Sequence, residues 1–204
     1  MSLLRTLLVA LIMMPVLAGG MPARAAGDPN LAVVEKFPAA LLDTLKQGKA
    51  LGIQGRYKKL EPEVDAAFDM KAMTQFTVGP KWAGMSESDR ASVVAAFRRM
   101  TISSYASNFK EFKDQQFTLD QKVDVRGVDR IVKSQIIPKG EKPVNLRYRL
   151  RETGGSARII DVIYESVSQI ATRRSDFSAT VNEGGAPALV KKLDEISDRL
   201  MGAS

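Results

Sequence analysis

The chain has 204 residues, a formal net charge of +7, and neither histidine nor cysteine. Without those two residue types it can build no Ser-His-Asp triad, cysteine nucleophile, disulfide or conventional zinc site. It carries no G-x-S-x-G elbow, phosphate-binding glycine loop or calcium loop, and its acidic residues are scattered on polar faces. The reading is a protein that is not an enzyme and has no catalytic residue, metal site or cofactor.

The N-terminus has the pattern of an export signal. Arg5 precedes the apolar run Thr6–Ala18, which breaks at Gly19-Gly20 and ends in the small-residue site Ala23-Arg24-Ala25. The run falls short of the roughly 18 apolar residues that span a bilayer. Residues 1–25 therefore read as a cleaved signal peptide, and residues 26–204 as a single mature domain in the periplasm. Cleavage removes two arginines and no acid, which leaves about 179 residues and a charge of +5. A chain of that length buries about 70% of its unfolded surface. The basic balance suits anionic headgroups or an acidic protein partner, and export argues against nucleic acid.

The mature chain opens with helices. Asp28-Pro29 is an N-cap with proline at the first helical position. Leu31, Val34, Leu41 and Leu45 mark a stripe ending near Gly48, with a kink expected at Pro38. A short helix is predicted from Pro62 to Phe68, and another from Met70 to Val78, stopped by Gly79-Pro80. Ser86-Glu87-Ser88-Asp89 resembles a capping box opening a long helix, with the stripe Val93, Val94, Phe97, Met100, Thr101, Tyr105 and Phe109.

From Phe117 the period changes to two. Strands are predicted over Phe117–Val125, Val128–Ile137, Val144–Arg151 and Arg158 to about Ser168, with turns at Gly127, Pro138-Lys139-Gly140 and Thr153-Gly154-Gly155-Ser156. In the third strand Val144, Leu146, Tyr148 and Leu150 share one face, and Asn145, Arg147, Arg149 and Arg151 the other. A closing helix follows Gly184-Gly185 on the stripe Leu189, Leu193, Ile196 and Leu200. The fold class is α+β: a twisted antiparallel sheet of four strands, or five, wrapped by N-terminal helices and a C-terminal helix around an apolar cavity.

Several motifs carry a resemblance. Gly79-Pro80-Lys81-Trp82, then Met85–Arg90, Phe97 and Tyr105, resemble the G-x-x-W…T-x-x-Q-R…F…Y signature of the MlaC family of periplasmic lipid-binding proteins. Asp161–Ser168 resembles that family's D-x-x-x-E-G-V-S, and Arg174-Ser175-Asp176-Phe177 its R-S-x-F. Ala171–Phe177 looks closer still to the hopanoid-biosynthesis-associated branch, HpnM. Ser166 stands where the family has Gly, and Gln169 where it has an apolar residue, so the strand exit and the lipid are expected to differ.

The resemblance implies a monomeric shuttle carrying a phospholipid or hopanoid-type lipid. Its implied partners are an inner-membrane MCE-protein ABC transporter and an outer-membrane lipoprotein complex, with transient membrane contact. Phe97, Met100, Tyr105, Leu146, Tyr148, Leu150, Ile160, Val162 and Tyr164 are the candidate lipid-binding residues; one by one they read equally as solid core. Arg147, Arg149 and Arg151 form either a solvated face or a docking surface. Arg173 and Arg174 either meet a headgroup or cap the sheet edge. Trp82 reads as an anchor of the helix junction. The alternative function is an exported adaptor without a ligand cavity.

Overall fold

In a computed structural model, residues 27–202 are described. The signal-peptide reading lies outside them. Helices α1 (Pro29–Lys46), α2 (Gly48–Ala67) and α3 (Met70–Val78) lead through a 3-10 helix (Gly79–Gly84) into α4 (Glu87–Asn108). Strands β1 (Gln116–Arg126), β2 (Asp129–Ile137), β3 (Val144–Thr153), β4 (Ser156–Tyr164) and β5 (Val167–Ser168) follow, and α5 (Gln169–Gly202) closes the chain. The sheet is an antiparallel meander in the order β1-β2-β3-β4-β5.

Local chemistry accounts for most boundaries. The Asp28 carboxylate accepts from the Asn30 amide at 2.8 Å, with Pro29 at the first helical position. The Ser86 hydroxyl accepts from the Asp89 amide at 3.0 Å while donating to the Asp89 carboxylate at 2.8 Å. Asp89 therefore reaches the Ser86 side chain, where a capping box would have it reach the Ser86 backbone. Gly154 and Gly155 both take positive φ in the two-residue β3–β4 turn, the conformation that a type I′ hairpin requires.

Three boundaries differ from the sequence reading. Helix α2 begins at Gly48, not Pro62, with non-helical backbone at Gly52 (φ 58°). Its buried face includes Arg56, whose guanidinium donates to the carbonyls of Ala106 (2.7 Å) and Gly48 (2.8 Å). A helix that buries an arginine and contains Gly52, Gly55 and Pro62 has no legible apolar stripe.

The fourth strand ends at Tyr164 and reverses through Glu165-Ser166 into β5. Glu165 takes φ 53° there, and its carboxylate accepts from the Asn145 amide at 2.9 Å. Helix α5 begins at Gln169 and continues past a break at Gly185 (φ 61°), so Gly184-Gly185 kinks a helix that is already under way.

Helices α1, α2, α3 and α5 contact the sheet, and α4 packs against α2, α3 and α5. The core between the layers includes Val34, Phe37, Phe68, Phe97, Met100, Leu146, Tyr148, Leu150, Ile159 and Phe177.

Candidate functional site: an apolar pocket between α4 and the sheet

Helix α4 turns Phe97, Met100, Thr101, Ser104, Tyr105 and Asn108 toward the sheet, the 3–4 spacing of one helical face. Two polar members of that face are satisfied within the helix. The Thr101 hydroxyl donates to the Phe97 carbonyl at 2.9 Å, and that of Ser104 to the Met100 carbonyl at 2.8 Å. Their hydroxyls thus need no partner across the gap, which leaves the surface largely apolar.

Opposite lie Leu146 and Tyr148 of β3, and Val162 and Tyr164 of β4, which are register partners pairwise: Leu146 with Tyr164, Tyr148 with Val162. The two surfaces do not meet. They enclose a pocket of about 430 Å³, closed at its sides by Leu41, Phe68, Met73, Phe109, Ile136 and Ile170. Phe37, Phe68, Tyr105 and Phe109 form a chain of rings with centroids 4.8 to 6.0 Å apart. Burial pushes the Tyr105 and Tyr148 phenols well above their ordinary pKa, so both are neutral.

At the mouth stand Tyr164, which is half exposed, Gln169 and Arg173. Among the described residues, Arg173 is the one charged member of the lining, 3.8 Å from Asp176. An apolar interior with a single cation at its rim can take up a hydrophobic body that carries an anionic end.

The structure brings together Phe97, Met100, Tyr105, Leu146, Tyr148, Val162 and Tyr164 around this pocket. Leu150 and Ile160 are placed elsewhere. Leu150 is fully buried in the core opposite Ile159. The register passes from Arg149–Asp161 to Leu150–Ile159, which makes Ile160 the extra residue of a β-bulge. Ile160 lines a separate groove with Gly79, Arg149 and Arg174. A bulge shifts every side chain beyond it, and alternation counted along the sequence does not reveal it.

The arginines separate as well. Arg149 and Arg151 both donate to Asp129, whose side chain is only 4% exposed. Burial alone would push that carboxyl up, but hydrogen bonds from Arg151 and Arg149 outweigh it and hold the pKa below its ordinary value. Of the three predicted face arginines, two thus neutralise a buried carboxylate, and Arg147 is exposed. Arg174 packs against Gly79, where an added Cβ would lie 3.1 Å from the guanidinium.

The residues that carry the family resemblance divide: Phe97, Tyr105, Val162 and Tyr164 line the pocket, while Trp82, Arg90 and Asp161 hold the frame around it. Buried Trp82 offers its carbonyl to Arg90 at 3.1 Å, and the Arg90 guanidinium lies 5.6 Å from its ring. Asp161 accepts from the Ser168 hydroxyl (2.6 Å) and the Ile170 amide (3.1 Å), fastening the start of α5 to β4. Sequence reasoning missed Leu41, Phe68, Met73, Ile136 and Ile170 as lining residues, because they come from four different elements and the α2–α3 junction and share no period. Phe109 was in the α4 stripe and was legible there.

Comparison with known proteins agrees with this architecture. No curated protein matches the sequence. Among solved structures, the chain is similar to a phospholipid-binding protein from Ralstonia solanacearum, solved in complex with a phospholipid, at 21% identity and a TM-score of 0.73. The match covers 84% of this chain and 98% of that one, and what it shows is a shared fold. The family described as MlaC protein matches residues 35–195, which span α1 to α5 and every wall of the pocket, and the chain belongs to that family.

Proposed function

We propose that this protein is a periplasmic lipid-binding shuttle. It holds the tails of a phospholipid or hopanoid-type lipid between α4 and the sheet, with the headgroup at the mouth beside Arg173. It exchanges that lipid by docking transiently at the inner membrane, on an MCE-protein ABC transporter, and at an outer-membrane lipoprotein complex. The observation that carries the reading is the pocket of about 430 Å³, with its largely apolar walls and Arg173 at the rim. Family membership and the phospholipid held by the Ralstonia protein support lipid as the occupant.

The energetics fit a carrier. Each methylene removed from water contributes about 0.8 kcal/mol, so ten would contribute about 8 kcal/mol, on the order of micromolar affinity before ordering costs. Binding of that kind needs no catalytic group, consistent with the composition.

Native mass spectrometry of protein purified from the periplasm tests the reading. The expected result is a mature chain beginning at Ala26, carrying one lipid that is absent from the Leu146→Arg variant. A lipid-free protein that takes up nothing from vesicles of bacterial phospholipid would overturn it in favour of an exported adaptor.

A further inference from the structure

A second, smaller pocket of about 130 Å³ lies between α1 and the start of β1, lined on its outer side by Leu42, Glu111 and Gln115. It shares Leu41, Asn108, Phe109, Ile136 and Tyr148 with the main pocket. The two spaces are therefore neighbours, with these five residues between them. Their mouths lie on different elements: β4 and α5 at Tyr164 and Arg173 for the first, and the α4–β1 connection at Glu111 and Gln115 for the second.

Of the shared apolar residues, Leu41, Ile136 and Tyr148 belong to α1, β2 and β3. Phe109 alone stands outside the regular elements, one residue past the end of α4. We propose that Phe109 is the gate between two halves of one apolar tunnel, and so sets how long a lipid tail the protein accepts. This rests on the lipid-carrier reading.

The surroundings of Phe109 suit a gate that turns while its hinge stays fixed. Its backbone amide donates to the Tyr105 carbonyl at 2.9 Å. The next residue, Lys110, has its carbonyl so close to Gly48 that a Cβ there would clash. Arg56 ties the Ala106 carbonyl to that of Gly48, clamping the same joint. With the main chain pinned, the mobile part is the half-buried ring, which lies 5.7 Å from that of Tyr105. In its present position the ring lines both spaces. Rotated outward, it joins them, and a tail that fills the main pocket can run on toward Glu111.

The test uses delipidated full-length mature protein as wild type, Phe109→Ala and Phe109→Trp. Each is equilibrated with an equimolar mixture of phosphatidylglycerols bearing eight-carbon and eighteen-carbon tails, and the retained species are read by native mass spectrometry. Phe109→Ala is expected to shift retention toward the longer lipid by roughly tenfold, the effect of burying about two further methylenes. Phe109→Trp is expected to shift it the other way. Circular dichroism establishes that each variant is folded, and Phe109→Leu replaces the alanine variant if that one is not. An unchanged ratio in all folded variants, with lipid still bound, overturns the gate alone. Failure of the wild type to retain either lipid overturns the carrier reading and the gate with it.

Discussion

The two ends of the space between helices and sheet are built from the same residue types and finished differently. At one end Leu150 faces Ile159 with neither exposed, and Leu60 and Val64 of α2 belong to the same solid core. There the α2–α3 junction is latched to the sheet: the Asp69 amide donates to the Ile159 carbonyl at 2.9 Å, and the Thr153 hydroxyl to the Asp69 carboxylate at 2.9 Å. At the other end Leu146 and Tyr148 face α4 across the pocket, with the mouth at Tyr164 and Arg173. One strand, β3, thus runs from packed core to open pocket within five residues. Apolar alternation specifies which face turns inward. Whether the space beyond that face is filled depends on how closely the opposing elements are held.

The comparison breaks most directly at Leu150. Leu150→Ala leaves a cavity in close-packed surroundings and is expected to cost about 2–5 kcal/mol in urea unfolding, with lipid retention per folded molecule unchanged. Leu146 already faces the pocket, so Leu146→Ala should cost about 2 kcal/mol or less, while lipid retention falls. If the two substitutions cost the same and both spare lipid, the ends are equivalent and the binding site lies elsewhere.

Arg56→Met tests the joint that closes the pocket at the end of α4. It strips two carbonyls of their donor, at about 1–3 kcal/mol for groups left unsatisfied, and should be read by the same unfolding measurement. A loss of amide protection in hydrogen exchange, localised to residues 105–111, is the accompanying signature.

Asp129→Asn tests the outer face of the sheet. The folded pKa of this carboxyl lies below its unfolded value of about 3.9, so its stabilisation is present above about pH 4 and lost as pH falls through the folded pKa. The substitution is expected to cost about 1–3 kcal/mol at neutral pH, and the gap from wild type should shrink in acid. A gap independent of pH would mean that shape, not charge, accounts for the loss.

The smallest stability effect is expected at Arg147. Arg147→Ser should change stability by less than about 0.5 kcal/mol and leave bound lipid intact. If this arginine helps steer docking, the variant slows lipid delivery to anionic vesicles at low salt, and high salt abolishes the difference. Equal rates at both salt concentrations reduce it to a solvated residue.

From the sequence alone, the α+β order, the meander and the inward faces of α4 and β3 could be read, because capping chemistry and periods of 3.6 and 2 act over a few neighbouring residues. Phe97, Met100, Tyr105, Leu146 and Tyr148 were legible for that reason. Tertiary structure decided what local rules do not encode. The bulge at Ile160 turns that residue away from the pocket, and the buried carboxylate of Asp129 takes up Arg149 and Arg151. Arg56 spends its charge inside the protein, in a helix with no visible stripe. The pocket itself is a distance between layers, and that distance is set by contacts between residues far apart in the chain.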